Sequence, residues 1–317
     1  MERPNVLVGV PLEGTARSIL EKHADFEIVE FIEHDDLIKK IGDFDALISG
    51  GAQCNEQVLS QASKLKVIAS HGVGYDTIDV EAATRHGVMV TNSPGVMAES
   101  VAEHAVALIL TLARKIVEAN EDVKAGNAAW DKYRGIELWG KTFGQIGLGR
   151  IGWLIAKKMS EAFNMNVLAH DPYIDAERFR SCGSTSVALE KLLQVSDVIS
   201  VSVPLNEETE NLIDAEAFEV MEQGPIIVNT ARAGVIDKES LIESLESESV
   251  SGAGLDVYEL REDGDDPLTS TPNVVLTPHQ AANTYYGFAS TARATVENVV
   301  MALGGKKPKN LLNPEAF

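Results

Sequence analysis

Cysteine is nearly absent from this chain: two residues, Cys54 and Cys182, in 317. They lie far apart and without metal-ligand spacing, so no cysteine-built metal site is expected, and both thiols read as free in a reducing compartment. Long apolar runs are missing as well. No stretch approaches the roughly 20 apolar residues that cross a bilayer. Met1-Glu2-Arg3-Pro4 leads straight into a strand-like run, with no secretory signal between them. The cytoplasm is therefore the expected location. Positive charge is scarce: 27 Lys and Arg stand against 48 Asp and Glu, a formal charge of −21. Such a surface repels nucleic acid and anionic membranes, so neither is expected as a partner. An anionic small molecule would need local positive charge, which gives each arginine near a binding site more weight. Repeats and low-complexity segments are also lacking.

What is present is an alternation of short apolar runs with helical segments. Residues 5–10, 26–31, 46–49, 65–70 and 88–90 read as buried strands, with a helix from Glu13 to His23 after the first. A long helix is expected from Ala98 to Ala119, apolar almost all round at Ala105–Ala113 and so buried. A polar stretch with Trp130, Tyr133 and Trp139 reads as an arm that packs on a second subunit. The alternation resumes with strands at 166–170, 197–203, 226–230, 252–257 and 274–276, a helix capped by Asp237, and a final helix from Tyr285 to Leu303. Strand and helix in alternation predict parallel sheets covered on both faces. The length suits two domains.

The organising stretch is Phe143-Gly144-Gln145-Ile146-Gly147-Leu148-Gly149-Arg150-Ile151-Gly152. Gly147, Gly149 and Gly152 form G-x-G-x-x-G between a strand and a helix. That spacing provides a tight turn, a close approach to pyrophosphate, and close helix–strand packing, with the helix N-terminus aimed at the phosphates. The next apolar run, 166–170, ends in Asp171, 171 − 152 = 19 residues past the last glycine. A carboxylate there accepts from both ribose hydroxyls and repels a 2′-phosphate, so a dinucleotide site that favours NAD over NADP is expected. Because the fingerprint starts near residue 143, another domain must fill the first hundred residues. The last helix would return the chain to it.

Hydride chemistry leaves the protein to place a carbonyl carbon and manage one proton. Arg232, a glutamate in the 259–262 loop and His279 all fall at expected strand ends. Arginine grips a carboxylate with a planar fork, histidine donates a proton near neutral pH, and a carboxylate beside it raises its pKa. The glycine-rich turns 49–52 and 70–76 expose N–H groups to a carboxylate or simply serve as turns. His104, inside the long helix, reads as a packed or capped histidine in preference to a catalytic one.

With these motifs in order, the sequence resembles the NAD-dependent D-isomer-specific 2-hydroxyacid dehydrogenases from about residue 45 almost to its end. The likeness rests on residues 72–79, 90–95 and 100–103, the glycine fingerprint, and residues 229–237, 254–258 and 277–279. The resemblance implies an α/β protein of two Rossmann-like, doubly wound parallel-sheet domains with an interdomain cleft. Residues 1–98 plus 285–317 would form a discontinuous, flavodoxin-like substrate domain, and residues 99–284 the NAD domain. It implies Arg232 as substrate-binding and catalytic arginine and His279 as acid/base. NAD would be held by Gly147, Gly149, Arg150, Ile151 and Gly152, by Asp171 at the ribose, by Asp256 at the nicotinamide carboxamide, and by Ser100, Thr230 and Ala231. The backbone of Val73 and Gly74 would face the substrate carboxylate. The family's catalytic glutamate stands five residues after the aspartate, which here is Arg261 between Glu259 and Glu262. A one-residue slip favours Glu262 over Glu259. Gln280 replaces a small apolar residue after His279. The implied activity is hydride transfer between NAD and a small anionic 2-oxo or D-2-hydroxy acid, in a homodimer built on the NAD domains. Candidate substrates are glyoxylate or hydroxypyruvate, 3-phosphoglycerate and lactate-like acids. A chain ending at Phe317 leaves no room for the C-terminal regulatory domain common among phosphoglycerate enzymes. The rival is an NAD-responsive corepressor-like protein without catalysis.

Overall fold

The computed structural model describes residues 3–30, 32–127, 129–261, 264 and 266–317. The chain divides into two compact units, Met1–Met97 with Asn283–Phe317, and Ala98–Ala282. The first carries strands β1 (Asn5–Val8), β2 (Asp25–Ile28), β3 (Ala46–Ser49), β4 (Val67–Ser70) and β5 (Met89–Thr91). They form one parallel sheet in the order β2-β1-β3-β4-β5. Alternate residues feed opposite faces, as the two-residue period of a strand requires. Leu7, Leu47, Ile68 and Val90 pack with Leu37, Ile41 and Val58. Val6, Val8, Ala46, Ile48, Val67 and Ala69 pack with Leu20 and with Ala292, Val296 and Val299 of the C-terminal helix Tyr285–Leu303. Each such side chain taken from water contributes about 1.5–3 kcal/mol. The C-terminal segment also covers the edge strand: buried Asn313 accepts from Val90 N at 2.7 Å and donates to Val88 O at 2.9 Å.

The second unit holds β6 (Thr142–Ile146), β7 (Asn166–His170), β8 (Ser184–Ser186), β9 (Val198–Val201), β10 (Ile226–Asn229), β11 (Gly252–Leu255) and β12 (Val274–Leu276). All pair in parallel, in the order β12-β11-β10-β9-β6-β7-β8. Phe143, Val167, Val198 and Val228 face helices Ala98–Ala113 and Arg150–Glu161. Ile146, Ile199, Val201, Ile227 and Leu255 face the opposite layer, which includes helix Lys238–Glu246. Asp237 caps that helix, accepting from Ser240 N. Among the described residues no helix is long and apolar enough to cross a membrane.

The helix expected to run unbroken from Ala98 to Ala119 ends at Ala113. Lys115 takes a left-handed conformation, φ 51°, and a second helix covers Ile116–Lys124. Ile136 N donates to the Ala113 carbonyl at 2.8 Å, which supplies the acceptor with a partner outside the helix. Periodicity alone does not reveal such a competitor. Both cysteines are buried and unpaired, and burial pushes the Cys54 thiol up to about 12.

His71, just past β4, has its ring centroid 5.3 Å from that of Phe288, and its Nε2 is buried without a hydrogen-bond partner among the described residues. Burial lowers its pKa from 6.5 to about 4. The folded state therefore binds fewer protons than the unfolded one between those values. Stability should be complete above the unfolded pKa and fall as pH drops toward 4, by about 3 kcal/mol in all. Denaturant titrations of His71→Gln should show a flatter pH dependence across this window. Parallel losses in variant and wild type would show that another group causes the decline.

Candidate active site

Every strand end of the second unit that carries a candidate residue lies on the carboxyl edge of its sheet. The glycine loop follows β6, Asp171 follows β7, Thr230–Arg232 follow β10, Asp256 follows β11, and His279 follows β12. The winding direction reverses between β9 and β6. That is where open parallel sheets bind ligands.

The glycine loop is shaped by close approach. Gly147 has φ 82°, and a Cβ on Gly152 would lie 2.0 Å from the Gly147 carbonyl. Any side chain at Gly152 would force helix Arg150–Glu161 away from the loop. Gly149 differs, because a Cβ there would meet nothing within 4 Å. Packing does not demand glycine at this position, and its absent side chain leaves the backbone open to close approach. Gly149 is the N-cap of a 12-residue helix with no side-chain cap and no acidic residue in its first turn. Its positive dipole end suits a pyrophosphate. Arg150 is exposed at the helix start, whereas Ile151 packs on the core. Asp171 Oδ2 accepts from Leu148 N at 2.8 Å and Oδ1 from Tyr173 N at 3.0 Å, which fixes a carboxylate at the loop where a ribose would lie. These features fit a dinucleotide.

Two residues outside the fingerprint hold this loop. Buried Gln145 donates through Nε2 to the carbonyls of Ile146 and Gly147, both at 3.1 Å. Arg178 donates to the carbonyls of Leu148 and Gly149 at 3.4 and 3.1 Å, and its guanidinium carbon lies 5.1 Å from the Trp153 ring centroid. A polar residue inside an apolar strand is the only sequence signal for Gln145. Arg178 has none.

At the other strand ends the turns are held by buried side chains. Asn229 accepts from Ala231 N at 2.9 Å and donates to the Arg232 carbonyl at 2.8 Å, shaping the turn Thr230–Arg232. Arg232 is half-buried, and its Nη1 donates to the Ala231 carbonyl at 2.7 Å. Asp256, 1% exposed, organises the turn after β12. Its main-chain oxygen accepts from His279 N, its Oδ1 from Gln280 N, and its Oδ2 from Ala281 N, each at 2.9 Å. Thr277 Oγ1 donates to Oδ1 at 2.6 Å. Burial raises the Asp256 pKa, but hydrogen bonds from His104, Thr277, Ala281 and Gln280 outweigh it and hold the carboxyl below its ordinary value. The Asp256 carboxylate thus serves the turn. His279 itself is exposed and takes φ 50°, a left-handed conformation that costs a residue with a side chain about 1–2 kcal/mol. Three consecutive N–H groups bonded to one aspartate keep it there.

The acidic loop is less regular. Arg261, five residues after Asp256, forms an exposed ion pair with Glu239 at 3.7 Å. Glu259 is exposed, and its carbonyl accepts from Lys238 Nζ at 2.9 Å. Glu262 lies outside the described residues. Ser100 is buried in the first turn of helix Ala98–Ala113. In the first unit, the carbonyl of Val73 accepts from Asn92 Nδ2 at 2.8 Å and that of Gly74 from Ser70 Oγ at 2.5 Å. Both carbonyls are thus engaged within the unit.

The family model described as D-isomer specific 2-hydroxyacid dehydrogenase, NAD binding domain, matches residues 106–281. The chain is 40% identical to D-3-phosphoglycerate dehydrogenase of Archaeoglobus fulgidus, covering 97% of this chain and 59% of the relative. It thus spans about three fifths of that enzyme's length. It is 35% identical to glyoxylate reductase of Pyrococcus furiosus, covering 99% of this chain and 97% of the relative. Among solved structures it is similar to the D-lactate dehydrogenase of Aquifex aeolicus complexed with NAD and lactic acid. That likeness has a TM-score of 0.88 at 28% identity and covers 98% of this chain and 99% of the other. The chain belongs to the D-isomer specific 2-hydroxyacid dehydrogenase family, and its residues 106–281 match that family's NAD-binding domain.

Proposed function

We propose that the protein is an NAD-dependent dehydrogenase interconverting a small 2-oxo acid and the corresponding D-2-hydroxy acid. The observation that carries this reading is the exposed His279 imidazole, held on an Asp256-bound turn two strands from the Arg232 turn. Both stand on the sheet edge that also bears the glycine loop and Asp171. Bound NAD supplies the hydride acceptor or donor. Gly147, Gly149, Arg150, Ile151 and Gly152 hold its pyrophosphate and Asp171 its adenosine ribose, with Ser100, Thr230 and Ala231 completing the site. Arg232 grips the substrate carboxylate and polarises the carbonyl. His279 protonates the oxygen as the carbonyl becomes an alkoxide, and takes the proton back in oxidation. Relatives named glyoxylate reductase and D-3-phosphoglycerate dehydrogenase support glyoxylate, hydroxypyruvate and 3-phosphoglycerate as the first substrates to try. The segment after Ala113 leaves Trp130 89%, Trp139 74%, Val123 59% and Ile116 52% exposed, which supports a homodimer built on this segment.

A panel of 2-oxo acids with NADH, followed by absorbance, tests the activity; NADH binding without reduction of any of them would overturn it. In the same assay NADPH should serve at least roughly a hundred-fold less well, since like charge at Asp171 costs several kcal/mol. Asp171→Ser should narrow that gap, and equal use of both cofactors by the wild type would remove Asp171 from this role. His279→Ala should lower turnover roughly a hundred- to ten-thousand-fold with NADH affinity retained. Glu262→Gln, which removes the carboxylate assigned as the partner of the His279 imidazole, should lower kcat for reduction, while Glu259→Gln should not. The opposite pattern would assign the role to Glu259. Equilibrium sedimentation should find a dimer that Trp130→Ser with Trp139→Ser weakens; a monomeric wild type would refute it.

A further inference from the structure

We propose that His104 is a positioning residue for proton transfer at His279, acting through Thr277 and Asp256. The inference rests on the reading of His279 as the proton donor. His104 Nε2 lies 3.0 Å from Thr277 Oγ1 and 3.5 Å from Asp256 Oδ1. A threonine hydroxyl has one hydrogen, and here it is directed at Asp256 Oδ1, 2.6 Å away. The bond between His104 and Thr277 must therefore be donated by the imidazole. Nε2 carries a proton whether the ring is neutral or charged, and the order of donation runs from His104 to Thr277 to Asp256. Asp256 in turn holds the N–H groups of His279, Gln280 and Ala281. The chain of bonds starts in the buried helix Ala98–Ala113 and ends at the strained turn that aims the exposed imidazole.

Packing alone does not account for a histidine here. Its side chain is 19% exposed, while its helix neighbours Val101, Ala105 and Leu108 are buried apolar residues that face the core. An apolar residue would continue that surface but would leave Thr277 without its donor. Thr277 would then be free to turn its hydroxyl away from Asp256. The carboxylate would lose its side-chain partners and keep only the amides of Gln280 and Ala281, so the turn's acceptor would be less firmly fixed. Small displacements of a proton donor have large effects on rate.

Three variants test the proposal: His104→Leu, His104→Gln and Thr277→Val. His104→Leu should lower kcat for 2-oxo acid reduction roughly ten- to a hundred-fold, because a misplacement near 1 Å costs about that much, with the KM for NADH little changed. His104→Gln, whose amide can donate from nearly the same place, should recover most of the loss. Combining His104→Leu with Thr277→Val should be no worse than either alone, since both break one chain. Amide hydrogen exchange supplies a readout that needs no turnover. Gln280 and Ala281 should lose protection in His104→Leu and in Thr277→Val, while the strands β6 to β10 keep theirs. Wild-type kcat in His104→Leu, unchanged exchange at Gln280 and Ala281, a glutamine variant as slow as the leucine variant, or multiplying losses in the double variant would each overturn it. If His104→Leu failed to fold, Thr277→Val would carry the same two readouts. If the wild type reduced no 2-oxo acid, the proposed activity would fall, and the exchange measurement would still decide whether His104 holds the turn.

Discussion

A strand buried on both faces has nowhere along its length to offer a polar side chain to a ligand. In the second unit the inner strands β6, β9, β10 and β11 are buried almost throughout, so the groups that a ligand can reach stand in the turns at the carboxyl ends. Gly147, Asp171, Arg232, Asp256 and His279 all stand there. The same constraint makes those turns costly to leave loose, because their backbone groups sit next to an apolar interior and need partners. Asn229 and Asp256 supply them, each from the last strand residue or the one beyond it, and each bonds main-chain groups of a turn that presents a charged side chain.

The glycine loop solves the same problem differently. Its carbonyls are held from inside the sheet by Gln145 and from outside by Arg178, which fixes the loop ahead of the helix start. Asp171 adds a fixed negative charge at one end of the loop. A helix N-terminus and a carboxylate thus lie side by side at the end of the sheet, one attracting negative charge and the other repelling it. The acidic surface, at −21 overall, makes this local arrangement more consequential, since any anion must be drawn to a chain that repels anions on average.

Patterns that depend on neighbours along the chain are legible in the sequence. Strand and helix alternation points to two parallel sheets, and G-x-G-x-x-G with an acid 19 residues later points to the dinucleotide loop. Those signals are local: a two-residue period, a helix period, and a glycine where a Cβ would collide. Arg232 and His279 are visible because charged residues just past apolar runs stand out. What sequence does not supply is any relation that only folding creates. Ala113 ends its helix because Ile136, far along the chain, reaches its carbonyl. His104 looks like an ordinary packed histidine because Thr277 and Asp256, its partners, are more than a hundred residues away in the sequence. Asp256 is legible as a motif residue, yet its bonds to three successive amides of the turn appear only when β11 and β12 lie side by side. The sequence by itself determined the two sheets, the glycine loop and which polar side chains stand just past the strands, because each is written in short-range spacing. Tertiary structure alone decided which buried groups hold those side chains in place, because hydrogen bonds across a sheet edge join residues that no local pattern relates.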